Sequence, residues 1–306
     1  MVEMIATVTL NPAIDHTVYV ERFVPCSLNR AADSEYSIGG KGINVSKVLA
    51  ELGISSIALG FLGKNAGHIS DELKEMGITP DFIEVPGNTR TNIKIIDRSN
   101  AASTEVNEPG PWITPEWLNE LKERVLYWAE RCEYITFSGS LPQGLNEDIY
   151  KELIQIAKEK GARTILDADG ESLRKGLESA PYMIKPNIHE LKNLVGHPLD
   201  DEREVMNVCN EIISSGIEVV IVSMGSKGSI YADSKGVYRA YPLELDVKST
   251  VGAGDAMVAG FLYAVDRGFD GESTARFAAA SSSCRIISDF KRIREFYERI
   301  RIERWQ

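Results

Sequence analysis

The chain has 306 residues, with 34 Lys and Arg against 45 Asp and Glu, and so a formal net charge of −11. With 43% hydrophobic and 26% charged residues, it has the composition of a soluble globular protein, which excludes a disordered or collagen-like chain. The acidic balance argues against a general binder of nucleic acid or of anionic membranes, which needs a basic surface; a local basic pocket stays open.

The first residues, MVEMIATVTLNPAID, lack a basic segment followed by an apolar one, and no apolar run is long enough to span a bilayer, so a cytoplasmic protein is expected. Cys26, Cys132, Cys209 and Cys284 form no C-x-x-C pair. They read as small hydrophobes rather than as a zinc site or a disulfide framework.

In chain order, short β-branched runs alternate with amphipathic stretches. A strand is expected at 5–10, a polar strand-rich piece at 16–36, a helix at 43–52, a strand at 57–59 and a second polar strand-rich piece at 89–106. The helix at 115–129 repeats Leu118, Leu121, Val125 and Trp128 at three-to-four-residue spacing. Strands at 134–137, 164–167, 182–184 and 219–223 follow, with helices at 147–160, 202–214, 254–266 and 273–287. The tail 291–304, KRIREFYERIRIER, reads as a solvated closing helix. The class is α/β with a mostly parallel, doubly wound sheet in one domain, 1–306. The two strand-rich pieces, bounded at about 13–37 and 88–108, interrupt that alternation; paired in space they would form a lid over the ligand edge.

Two glycine-rich turns open helices. Residues 37–45, SIGGKGINV, let the backbone approach a ligand at a helix N-terminus, with Lys41 suited to a phosphate. Gly42 after that lysine rules out a Walker A loop. Residues 249–256, STVGAGDA, can aim the amides of Gly252, Ala253, Gly254 and Asp255 at one point beside the Asp255 carboxylate, which suits phosphoryl transfer. Asp255 as a mere helix cap is the alternative. A dinucleotide fingerprint fails here, because Met257 occupies the sixth position and no ribose-binding acid follows.

In KPNIHE, residues 185–190, Asn187 and Glu190 share one side of a starting helix. They read as a water-mediated magnesium site or as a reciprocal capping pair, and the two are compatible. SMGSKG, 223–228, is a small loop able to border a nucleotide. Arg90 and Arg30 lie in the strand-rich pieces, where an anionic substrate would need cations; solvation is the plainer reading for Arg30.

Taken together, LNPAID (10–15), GGKGINV (39–45), TRTN (89–92), SGSLPQG (138–144), KPNIHEL (185–191), SMGSKG (223–228) and STVGAGDAMVAG (249–260) resemble the ribokinase-like, phosphofructokinase-B family of sugar kinases. The likeness runs in order from about residue 5 to about 280. It implies a three-layer α/β sandwich with a mostly parallel central sheet, a small β-sheet lid that often serves as a dimer interface, and ATP with Mg²⁺. Within the family the chain is similar to the 1-phosphofructokinase and tagatose-6-phosphate kinase subgroup. TEVNEPGP (104–111) and Asn92 lean toward the former, with fructose 1-phosphate as acceptor and 6-phosphofructokinase as another rival. A non-catalytic sugar-phosphate sensor is the remote alternative.

By position the resemblance implies Asp255 as catalytic base and 252–254 as the anion hole. Asp15, Gly39, Gly40, Asn44 and Asn107 would contact the sugar; Lys41, Arg90, Arg30 and Asn92 would hold its phosphate, and Ser138 would close that pocket. Lys185, Asn187, Glu190, Ser223, Gly225, Gly228, Thr250, Gly252 and Gly254 would lie along ATP, with Asn187 and Glu190 organising Mg²⁺ through water. One departure is the segment ASSSCRIIS, 280–288, where Arg285, Ile286 and Ile287 are bulkier than the family's small residues beside the adenine. That puts the adenine contacts in question and leaves Asp255 untouched.

Overall fold

The computed structural model describes residues 4–100 and 102–305. β1 (Ile5–Thr9) is buried along its whole length, as its β-branched sequence requires of a strand covered on both faces. The chain then forms a hairpin of β2 (Ala13–Val20) and β3 (Asp33–Gly39) and crosses through α1 (Lys41–Glu51) to β4 (Ser56–Gly63). α2 (Gly67–Glu75) leads to β5 (Thr79–Val85), and a second hairpin, β6 (Arg90–Asp97) and β7 (Ala102–Asn107), precedes α3 (Pro115–Ala129).

Alternation of strand and helix then resumes through β8 (Tyr134–Ser138), α4 (Ile149–Glu159), β9 (Arg163–Asp167), α5 (Gly170–Leu177), β10 (Met183–Ile184), α6 (Ile188–Val195), α7 (Glu202–Ser214) and β11 (Val219–Ser223). β12 (Ser229–Asp233) and β13 (Gly236–Ala240) form a hairpin, and the chain closes with α8 (Ala253–Asp266), α9 (Gly271–Ile287), α10 (Ile293–Arg299) and β14 (Ile302–Trp305).

The large sheet has the order β14-β13-β12-β11-β10-β9-β8-β1-β4-β5, parallel from β11 to β5 and antiparallel from β12 outward. Alternate side chains feed two layers: Ala6 and Val8 join the core under α3, α4 and α7, while Ile5 joins the core under α1, α8 and α9. The second sheet, β3-β2-β6-β7, joins the two hairpins through a parallel β2–β6 pairing, so the two polar strand-rich pieces do meet in space. α8 and α9 pack closely because Gly260 leaves room for Ser281, whose Oγ lies 2.4 Å from where a Cβ would stand. The small residues at 278–283 therefore serve helix packing.

The tail departs from expectation. A 3-10 turn, Phe290–Arg292, leads into an α-helix of only 293–299, Phe296 within it is fully buried, and Ile302–Trp305 pairs with β13 as an edge strand. The buried aromatic and the alternation of Ile302 and Trp305 with Glu303 and Arg304 outweigh the helical charge spacing. β5, β12 and β13 also escape the sequence reading, since none carries a long apolar run. Cys132, Cys209 and Cys284 are buried and Cys26 is exposed, all unpaired; burial pushes the three buried thiols up to about 12. Among the described residues no helix is long and apolar enough to cross a membrane.

Candidate active site

The candidate residues gather where ligands bind in open α/β sheets, at the carboxyl ends of the parallel strands. Thr9, Ser138 and Asp167 end β1, β8 and β9 in register with one another. The next strand continues the row, with Ile184 opposite Leu166, so Lys185 falls beside Asp167. Asp167 is 1% exposed and accepts from Lys41 Nζ at 2.9 Å while facing Lys185 Nζ at 3.3 Å. Burial alone would raise its pKa, but the two ammonium groups hold it below the usual carboxylate range. Burial likewise opposes the charge on Lys41, and Asp167 outweighs it. Lys41 therefore faces Asp167, rather than standing free for a sugar phosphate as expected.

α8 starts at the expected glycine turn. Gly252 is its N-cap at φ 77°, and Ala253 N–H turns back to Thr250 O at 3.3 Å. The first-turn amides of Gly254 and Asp255 are left without helical acceptors, as at any helix start. Asp255 is buried, and Asn44 Nδ2 donates to its Oδ2 at 2.8 Å. Burial, then the nearby Asp167 charge, pushes the Asp255 carboxyl up to about 6, the range of a working general base. Lys185 flanks this turn on one side: a Cβ on Gly254 would stand 3.0 Å from its Nζ.

Toward the small sheet lies a cavity of about 630 Å³ lined by Asp15, Ser37, Asn44, Lys47, Asn92, Asn107, Ser249 and Arg285, among others. Asn92 Nδ2 donates to Asp15 Oδ1 at 2.9 Å, and burial raises the Asp15 pKa. Gly39 is needed there, because a Cβ would fall 2.2 Å from Asp15 Oδ2. Gly40 caps α1 at a positive φ of 127°, against Thr9. Arg90, opposite Ala13 in the sheet, is half-buried with an unsatisfied Nε, and burial lowers its pKa; Ser138 Oγ is buried and equally unpartnered. Arg30 is not brought here. It is exposed in the β2–β3 loop, beyond the Tyr19–Asp33 end of a hairpin whose Ala13–Gly39 end holds the site, which is roughly 20 Å along the strands.

On the other side of α8, Asn187 and Glu190 form a complete capping box. Asn187 Oδ1 accepts from the N–H groups of His189 and Glu190 at 2.9 Å each, and Glu190 Oε2 accepts from Asn187 N–H at 2.8 Å. The reciprocal capping expected of this pair is present, and it fixes the orientation of Glu190, whose Oε1 is left outside the box. Among the described residues there is no cluster of three metal-ligating side chains. Ser223 pairs with Asn187 in an isolated bridge, and Gly225 and Gly228 hold positive φ in the following turn. Thr250 is exposed just before the Gly252 turn.

Sequence reading missed Asp167, although a carboxylate ending a predicted parallel strand is a legible signal. It also missed Arg239, which is 3% exposed, forms a bidentate pair with Glu202 at 2.8 and 2.9 Å and donates to Lys227 O. No local pattern marks that residue. Arg285, the bulky departure in the 280–288 segment, lines the cavity next to Gly252.

The sequence pattern of the pfkB family carbohydrate kinases matches residues 8–288. The chain belongs to this family. As a pfkB family carbohydrate kinase it is 38% identical over 306 residues to a 1-phosphofructokinase of Borreliella burgdorferi, covering 98% of each chain. It is 37% identical over 261 residues to a tagatose-6-phosphate kinase of Staphylococcus epidermidis, covering 84% of each. Its fold superposes on phosphofructokinase-2 of Escherichia coli in complex with fructose-6-phosphate with a TM-score of 0.90, at 28% identity, covering 97% of this chain and 98% of that one. The sugar-kinase resemblance and the α/β architecture read from the sequence are both borne out.

Proposed function

We propose that this pfkB family kinase transfers the γ-phosphoryl group of ATP to the free primary hydroxyl of a ketohexose monophosphate, and that the acceptor is fructose 1-phosphate. The observation that carries the reading is Asp255, buried at the first turn of α8 beneath unpaired amides and oriented by Asn44. A sensor needs no such base. In the reaction the acceptor hydroxyl attacks the γ-phosphorus as the bond to the ADP oxygen breaks, and its proton passes to Asp255. The Gly252–Asp255 turn and Lys185 face the charge that develops on the phosphoryl oxygens.

Asp15, Gly39, Asn44, Asn92 and Asn107 hold the sugar, and Arg90 and Ser138, with their unsatisfied buried donors, supply the subsite for its resident phosphate. The small sheet acts as a lid that excludes water. Its outer face carries exposed Tyr36 and Val106 and is the surface proposed for a homodimer. Magnesium fits the one free carboxylate oxygen of Glu190 together with phosphate oxygens and waters, a donor set this ion accepts; it would shield phosphate charge. The enzyme is read as cytoplasmic.

ADP release with Mg·ATP and a panel of fructose 1-phosphate, fructose 6-phosphate, tagatose 6-phosphate and unphosphorylated ketohexoses tests this. Highest kcat/KM on fructose 1-phosphate is expected. A 6-phosphate winning would keep the base and reverse the acceptor, the reading that the tagatose-6-phosphate kinase relative supports. No turnover on any sugar would overturn the kinase.

A further inference from the structure

Arg285 on α9 lies directly over the N-cap of α8. Its Nε donates to Val251 O at 3.2 Å, and a Cβ on Gly252 would stand 2.9 Å from Nε and 3.5 Å from the Nη2 nitrogen. Gly252 at φ 77° also leaves the guanidinium room there. With Lys185 over Gly254 on the opposite side, the first turn of α8 is bracketed by two cations.

The two differ in what already neutralises them. Lys185 shares the Asp167 carboxylate with Lys41, and once Asp255 is ionised the formal charges of these four groups cancel. Among the described residues Arg285 forms no ion pair with a carboxylate, although it lines the same cavity as Asp15 and Asn44. Lys47, the neighbouring cation, donates to Ile38 O at 2.5 Å and has its pKa lowered by burial and by Arg285. Among the described residues neither cation is in salt-bridge contact with a carboxylate, although Asp15 and Glu72 act on Lys47 from farther off, and one of the five N–H groups of Arg285 is all that its backbone contact uses. The phosphoryl group is most exposed and most charge-dispersed in the transition state, and it passes over this turn.

We infer that Arg285 is a further catalytic residue, contacting the phosphoryl group in transit from the nucleotide to the sugar hydroxyl and supplying the cation that the Lys41–Asp167–Lys185 cluster has neutralised. The inference rests on the proposed kinase reaction. Lys47 supports it from α1, and a guanidinium fits better than an ammonium because its fork can meet two phosphoryl oxygens at once.

The test compares wild type, Arg285→Ala and Arg285→Lys with Mg·ATP and the wild type's best sugar phosphate, with thermal melts as a folding control. For Arg285→Ala the expected result is a kcat lowered roughly 100-fold or more, with the KM of both substrates within about threefold. Added guanidinium chloride should restore part of that loss and should not stimulate the wild type. Arg285→Lys should fall between the two, and it carries the test if the alanine variant is unstable. A kcat within about twofold of wild type in both variants overturns the inference. So does a sugar-phosphate KM raised more than tenfold at unchanged kcat, which would place the guanidinium on the resident phosphate. A wild type inactive on every sugar would overturn the proposed reaction itself, a different outcome from an active wild type matched by its variants.

Discussion

Asn44 Nδ2 donates to Asp255 Oδ2 across 2.8 Å, tying the first turn of α1 to the first turn of α8. Residues separated by 211 positions thus share one hydrogen bond, and both glycine-rich turns face one cavity. The bond holds one carboxylate oxygen and leaves the other to take a proton.

Asp255→Asn should therefore lose turnover by about 10²–10⁴-fold and keep its fold. Because the folded-state pKa of Asp255 lies above its unfolded value, the folded protein binds this proton more readily, and the stability from this group falls as pH rises from about 4 to about 6. At pH 7 the asparagine variant should be at least as resistant to urea as the wild type. A lower unfolding midpoint would contradict that.

The same carboxyl predicts an acid limb in kcat/KM near pH 6, with activity falling below it. Asp167→Asn removes a negative neighbour and frees two positive ones, so the limb should move to lower pH. Rate profiles between pH 4.5 and 8 read this directly.

Asp167 is also structural. Asp167→Ala leaves Lys185, 5% exposed, without its counter-ion, at a cost of about 3 kcal/mol; the Lys41 share is smaller, since that side chain is 34% exposed. The native Asp167 pKa is depressed, so its contribution is present above the unfolded carboxylate pKa and is lost as pH falls through the folded one. The difference between wild type and variant in chemical denaturation should shrink in strong acid.

Gly39→Ala and Arg90→Ala should both act on the sugar. A Cβ at Gly39 displaces the Asp15 carboxylate, and loss of Arg90 removes a half-buried guanidinium with an unsatisfied Nε. Sugar-phosphate KM should rise about tenfold or more in each with ATP KM little changed. Lys41→Ala should behave differently and lower kcat, because its ammonium lies at Asp167.

Arg239→Met should raise the KM for ATP and leave that for the sugar unchanged, since Arg239 holds the 224–228 turn through Lys227 O. It should also destabilise the protein, because Glu202 loses its bidentate partner. Paired steady-state titrations separate the two effects.

The alternation of β-branched runs with amphipathic stretches was enough to specify a mostly parallel α/β sheet, because periods of two and 3.6 residues are local properties of the chain. The glycine turns at 39–42 and 252–254 were legible for a similar reason: a glycine ahead of an apolar-periodic stretch marks a helix start open to an anion. The partner of each charge was not legible. Lys41 looked free for phosphate until the register of β8, β9 and β10 set Asp167 beside it, and Arg285 was only a bulky departure until the packing of α9 on α8 set it over Gly252. Arg30, on a strand-rich piece that did form its sheet, lies at the wrong end of the hairpin. Local sequence determined which elements form and where backbone amides are left open. Only the tertiary structure decided which charges are already neutralised, because register and helix packing join positions with no relation along the chain, and an ion pair is decided by a few ångströms.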